Sequence, residues 1–314
     1  MQLIRSDTHI DFLGKRIIAI TISGILVLLS IGFLATKGLN FGIDFTGGTL
    51  VEVRFKQAPD IAEVRKSLAP AGYGAAIIQE FGSPEEILIR VQNLADKESS
   101  AISTEILTAL KKAFGSDGVE MRRVEFVGPQ VGEELTRAGI MAVLIAMLAI
   151  LIYITFRFEL RFAIGADAAL LHDITLVIGV FAITGKEFSL PVVAAILTVI
   201  GYSLNDTIVV FDRIRENIAA NRRKKNPLSE DEIVNVSLNQ TLSRTLMTSL
   251  TTLLVVMALF FLGGEVIHDF AFALIVGILV GTYSSIYIAS PVMLILHGRF
   301  KLSQEELSKM DARP

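Results

Sequence analysis

Apolar residues gather in long unbroken runs over most of this chain and alternate with polar ones over a single stretch. A hydrocarbon layer about 30 Å thick needs roughly 20 mostly apolar residues per crossing helix. Five uncharged runs meet that requirement, at residues 17–36, 138–156, 188–205, 246–264 and 270–296. A sixth run, 162–185, is long enough but contains Asp167, His172 and Asp173. Its neighbours leave no room for a soluble excursion, so it counts as a span. Between the first two spans lies a polar stretch with a different rhythm. Val51, Val53 and Phe55 alternate with Glu52 and Arg54, as in a half-buried strand. Asp60 and Glu63 read as a capping box opening a helix that places Ile61, Val64 and Leu68 on one face. Residues 75–81 and 87–91 suggest a hairpin around Gly82-Ser83-Pro84. Ile102, Ile106, Leu110 and Phe114 mark a second helix ended by Gly115, and 119–127 a last strand whose alternation breaks at Arg122-Arg123. The order β-α-β-β-α-β predicts a ferredoxin-like α+β domain. The fold class is therefore an α-helical polytopic membrane protein with six transmembrane helices and one α+β domain between the first and second.

Composition supports this reading. Hydrophobic residues make up 52% and charged residues 19%, and the mean hydropathy is +0.58. A net charge of −3 excludes a strongly basic nucleic-acid binder, and the absence of cysteine excludes disulfides, thiolate metal sites and cysteine nucleophiles. Lys and Arg in short loops set the orientation. Arg5, Lys15 and Arg16 precede the first span, and Arg157 and Arg161 separate the second from the third. Arg213, Arg215, Arg222, Arg223, Lys224 and Lys225 follow the fourth, and Arg299 and Lys301 follow the last. The alternate loops carry only Lys186. Both termini are thus expected in the cytoplasm and residues 37–137 outside it, in the periplasm of a bacterium, with the chain in the inner membrane. The first span lacks a convincing cleavage site and reads as retained. The expected units are 1–36 (N-terminus and first helix), 37–137 (periplasmic domain), 138–298 (five-helix bundle with a cytoplasmic loop at 212–243) and 299–314 (cytoplasmic tail). In the loop, Ser229 and Glu232 form a capping box after Pro227, predicting a short helix along the membrane surface, and residues 222–225 suit anionic lipid.

Ionisable groups inside a span cost about 2.5–3.5 kcal/mol on the insertion scale and normally face protein or a water-filled cavity. The candidates are Asp167, His172, Asp173, Asp206 and Arg244. Asp206 lies six residues before Asp212, about 9 Å from the cytoplasmic end at 1.5 Å per residue. Arg244 opens the fifth span from the same side and can snorkel, so the two could pair. Asp206 reads either as a proton-linked acid or as a helix-packing hydrogen bonder, and Arg244 as its neighbour or as a positive-inside anchor. His172 and Asp173, with Asn205, suit either a relay or polar packing. Asp167 suits a headgroup or cavity-edge position. Gly277 and Gly281 form a G-x-x-x-G pattern, extended by Ser285 and Ala289, that allows close helix contact inside the bundle or with a partner. Gly47-Gly48 suits unusual backbone angles at the start of the first strand. An intramembrane aspartyl protease could use Asp173 and Asp206, but the G-x-G preceding the acid in that class is missing. The spacing from Gly179 to Gly185-Lys186 is one residue too long for a phosphate loop, and Glu187 stands where Ser or Thr is needed. Neither an enzyme, a metal site nor a cofactor is expected.

Several motifs together resemble a known family. Gly42-Ile43-Asp44-Phe45-Thr46-Gly47-Gly48 is similar to the G-x-D-F-x-G-G signature of the SecD/SecF family, and Val127-Gly128-Pro129-Gln130-Val131-Gly132 to its V-G-P-x-V-G motif. His172-Asp173 and the run from Gly201 to Asn217, with Gly201-Tyr202-Ser203-Leu204-Asn205-Asp206-Thr207, resemble the SecF branch in particular. A single outer domain also suits that branch. The resemblance covers nearly the whole chain; Asp167 departs from the pattern. It implies a half-transporter of the resistance-nodulation-division type, paired with SecD and assisting a preprotein as it leaves SecYEG, driven by the proton-motive force, with YajC and YidC as further possible partners. On that basis Asp206 and Arg244 are expected to carry the proton relay, Asp44, Gly47 and Gly48 to serve backbone geometry, and residues 222–225 to face lipid or the SecY side. A proton-driven exporter of a small molecule or lipid is the alternative.

Overall fold

The computed structural model describes residues 9–92, 99–221 and 225–296. Its elements run α1 (Arg16–Thr36), β1 (Asn40–Phe41), α2 (Ile43–Thr46), β2 (Gly48–Phe55), α3 (Ile61–Leu68), β3 (Ile77–Phe81), β4 (Ser83–Val91), α4 (Ser99–Phe114) and β5 (Val119–Val127), followed by α5 (Pro129–Arg157), α6 (Leu160–Thr184), β6 (Glu187–Phe188), α7 (Leu190–Asn221), α8 (Glu230–Leu262) and α9 (Glu265–Ser284). A π-helical turn, Ser285–Ala289, continues α9. Among the described residues six helices are long and apolar enough to cross a membrane, from Leu13–Thr36 to Val266–Leu296. Arg5, residues 222–224 and the tail 299–314, used above for orientation and lipid contact, lie outside the described residues.

Local chemistry explains where the elements begin and end. Pro129 opens α5, where its missing N–H costs nothing. Gly185, at φ 69°, ends α6. Ser229 and Glu232 cap α8 reciprocally, as the sequence suggests. Asp60 caps α3 by accepting from Ala62 N–H at 2.8 Å, not from Glu63.

The four-stranded sheet has the order β3-β4-β2-β5 and is antiparallel throughout. Val51 pairs with Ile89 and Val124; Val51 and Ile89 pack on Val64, Leu68, Ile102 and Ile106 of α3 and α4, whereas Val124 is exposed. The broken alternation in β5 is a bulge. Glu52 pairs with Arg123 and Val53 with Met121, so Arg122 is passed over.

Four expectations need correction. The fourth span does not begin in helix at 188, because Glu187–Phe188 is a strand that pairs in parallel with Asn40–Phe41. The hairpin turn is tighter than expected. Gly82, at φ 77°, makes it, and β4 already starts at Ser83. The loop 212–243 is mostly helix, since α7 continues to Asn221. The segment capped by Ser229 is not a separate surface helix but the first part of α8.

α6, α7 and α9 form the inside of the bundle. Phe158, Phe162 and Phe211 centre one apolar cluster and Phe181, Val192 and Ile196 another. α1 leans on α6 where Gly179 meets Ser30 so closely that a Cβ would overlap it. At the end away from the sheet, the segment before α1 is strapped to α8. Asn239 exchanges two 2.8 Å hydrogen bonds with the backbone of Ile10, and Asn235 accepts from Phe12 N–H.

Candidate functional site

Two polar constellations interrupt the apolar bundle. The first lies between α6, α7, α8 and α9. Asp173 of α6 is fully buried. Ser203 of α7 donates to its Oδ2 at 2.6 Å and Ser284 of α9 at 2.8 Å, while His172 Nδ1 lies 3.0 Å from Oδ1. The His172 ring stacks on Tyr283, which in turn bonds Ser23 and the Ala19 carbonyl of α1. One turn along α7 from Ser203, Asp206 is 3% exposed and, among the described residues, accepts a single long bond, 3.5 Å, from Ser249 of α8. Ser249 also meets Thr282 at 2.7 Å, and Thr207 meets Ser285 at 2.9 Å. The π-helical turn begins at Ser285. Such turns shift the register of following side chains and often sit at functional positions.

The second constellation joins the bundle to the sheet. Asp44 Oδ2 accepts Leu190 N–H at 2.8 Å, capping α7. Arg90 of β4, 5% exposed, pairs with Glu187 and donates to the Phe41 carbonyl at 2.9 Å. Burial pushes the Glu187 carboxyl above its ordinary value; Arg90 opposes this, and Asp269, Asp44 and Glu125 add to it. Lys186 holds Asp269 at 2.7 Å.

Comparison with known proteins fits this geometry. A family described as "Protein export membrane protein SecD/SecF, C-terminal" matches residues 106–299, and the "SecD/SecF GG Motif" matches residues 32–59. A protein translocase subunit SecF from Magnetococcus marinus is 57% identical over 94% of each chain. The chain belongs to the SecF family of protein translocase subunits. Another SecF-family relative, from Desulfurispirillum indicum, is 48% identical over 98% of this chain and 97% of its own. The crystal structure of SecDF from Thermus thermophilus, described as a translocon-associated membrane protein, superposes with a TM-score of 0.83 at 41% identity. It covers 95% of this chain, which spans 40% of that longer SecDF chain. SecDF in a super-membrane-facing form gives a TM-score of 0.70 over 98% of this chain and 41% of its own. The protein is thus a multi-pass membrane subunit of protein export.

Within this SecF-family chain the expected site residues separate. Asp173, His172 and Asp206 are buried in the bundle, whereas Asn205 faces outward and is exposed. Arg244 is exposed on α8. Its charge acts on Asp206, but among the described residues no ion pair joins them. Asp167 is half-buried, with one carboxylate oxygen enclosed and unpartnered among the described residues. Gly277 and Gly281 both meet α7, at Val199 and at Ser203. Gly47 and Gly48 take φ values of 66° and 128°. The hydroxyls of Ser203, Ser249, Thr282 and Ser284 were not singled out by the sequence. Ser203 lies three residues before Asp206, a helical spacing that could have found it; the hydroxyls on α8 and α9 have no such signal.

Proposed function

We propose that this chain is the proton-responsive half of a paired export motor, acting with SecD at the SecYEG channel and using the proton-motive force to help a preprotein complete its exit. The α/β unit lies in the periplasm and both termini in the cytoplasm, with the bundle in the inner membrane. The excess of Lys and Arg in alternate loops supports this orientation. The β-α-β-β-α-β order and the strand order β3-β4-β2-β5 support a ferredoxin-like unit. YajC and YidC are further partners on family grounds alone.

Asp206 carries the proton in this reading. The supporting observation is an acid 3% exposed among apolar helices, with, among the described residues, one long hydroxyl bond and a cation that acts on it without an ion pair. A buried carboxyl takes a proton when its cation is distant and releases it when the cation closes in. Movement of α8 relative to α7 changes that distance. Each proton contributes about 2.3 kcal/mol per 100 mV of membrane potential, enough to shift a two-state arrangement separated by a few kcal/mol.

Asp206→Asn keeps the shape but cannot ionise. Membrane vesicles carrying the complete translocase should lose all gradient-dependent acceleration of export with this variant, at normal abundance and normal co-purification with SecD. Arg244→Lys should retain part of the response. A full gradient response from Asp206→Asn would return this residue to helix packing.

A further inference from the structure

α7 connects the two constellations. One end, at Leu190, is held by the α/β unit. Sixteen residues further along the same unbroken helix, about 24 Å at 1.5 Å per residue, lies Asp206. The hold at Leu190 has several independent parts. Asp44 satisfies one of the N–H groups that a first helical turn leaves unpaired, and its charge suits a helix N-terminus. Gly42 N–H bonds the Phe188 carbonyl at 2.9 Å, within the parallel pairing of β1 and β6. Arg90 reaches from the sheet to Glu187 and the Phe41 carbonyl. Phe41 and Phe45 pack around Phe188 at centroid distances of 5.9 and 6.0 Å.

The piece of chain that presents Asp44 is itself firmly attached. Gly47 and Gly48, in backbone angles that disfavour other residues, lead directly from α2 into β2, an inner strand of the sheet. Gly132 of α5 presses on the same turn; a Cβ there would lie 2.9 Å from the Phe45 carbonyl oxygen. Asp44 is therefore anchored to the sheet on one side and to α7 on the other, with no flexible linker between.

We propose that Asp44 is a positioning residue for the proton-linked step, fixing the end of α7 to the sheet so that the α/β unit and the helix carrying Asp206 move as one body. This rests on the proton-carrying reading of Asp206. Displacement of α7 at the acid then reaches the sheet directly, and the signature glycines serve to aim the cap.

The test uses the full chain in its complex. Asp44→Ala should reduce gradient-driven export at least tenfold with normal abundance and normal partner binding. Asp44→Asn, which still offers a carbonyl oxygen to Leu190 N–H, should restore most of it. A cysteine pair at Phe41→Cys and Phe188→Cys gives a second measurement, independent of how Asp44→Ala folds. These positions are direct strand partners, and the chain has no other cysteine. Oxidised and reduced forms should export at equal rates, because a joint that never opens is unaffected by a bond across it. A fivefold or greater loss on oxidation would show that the joint opens during the cycle and would overturn the proposal. Normal export by Asp44→Ala, with Asp206→Asn inactive, would overturn it while leaving the role of Asp206 standing. Normal export by Asp206→Asn would remove its foundation.

Discussion

Asp173 and Glu187 are two carboxylates in poorly hydrated places, supported in different ways. Asp173 is met by two serine hydroxyls and an imidazole, as buried polar groups generally require. Glu187 depends on one guanidinium and sits among other acids. Because its folded value lies above the ordinary 4.5, the native protein holds this proton more tightly than the unfolded chain. The stability it contributes is complete below 4.5 and is lost as pH rises through the folded value. Thermal unfolding in detergent from pH 4.5 to 7 should therefore show wild type losing stability relative to Glu187→Gln. A difference independent of pH would mean that Arg90 offsets the burial completely. Glu187, between two runs, reads only as a misfit for a phosphate loop, but Asp173 was legible in the sequence, since a charge within an apolar run is conspicuous. The hydroxyls were not. Most serve their own helix, as Thr175, Thr184, Thr198 and Thr248 do by bonding the carbonyl four residues back, and nothing in the residue type marks Ser203 or Ser284 as different.

The contact of α9 with α7 depends on two glycines that cannot carry a side chain in place. A Cβ at Gly277 would overlap Val199, and one at Gly281 would lie 2.9 Å from Ser203 Cβ and 3.5 Å from Asp173 Oδ2. Gly277→Leu and Gly281→Val should each destabilise the bundle by about 1–3 kcal/mol, read as a lowered melting temperature in detergent. Gly201→Ala, with open space around it, should leave that temperature unchanged. The six spans were readable because length and uniform apolarity suffice to define them. The β1–β6 pairing was not, because two-residue strands carry no period, and the apolar run from Phe188 passes from strand into helix without a break. The capping box at Ser229 marks the true start of α8, but the change from its polar first turns to the apolar run hides that one helix continues through both.

The protein is two cores joined by the Asp44–Leu190 region. The α/β core, centred on Val53, Leu68, Ile89 and Ile106, closes without any membrane helix. Residues 48–127 expressed alone should therefore melt cooperatively by circular dichroism; a gradual, uncooperative loss of signal would mean that the bundle supplies part of its stability. At the opposite end, the strap formed by Ile10 with Asn235 and Asn239 bears on how the molecule is made. Ile10 and Asn239 are 229 positions apart. At a synthesis rate of about 5–20 residues per second, roughly 10–45 s pass between the appearance of one and of the other. The fastening of the segment that precedes α1 thus comes late in biosynthesis, when the fifth span arrives, and a chain halted before that point lacks the strap however well α1 has inserted.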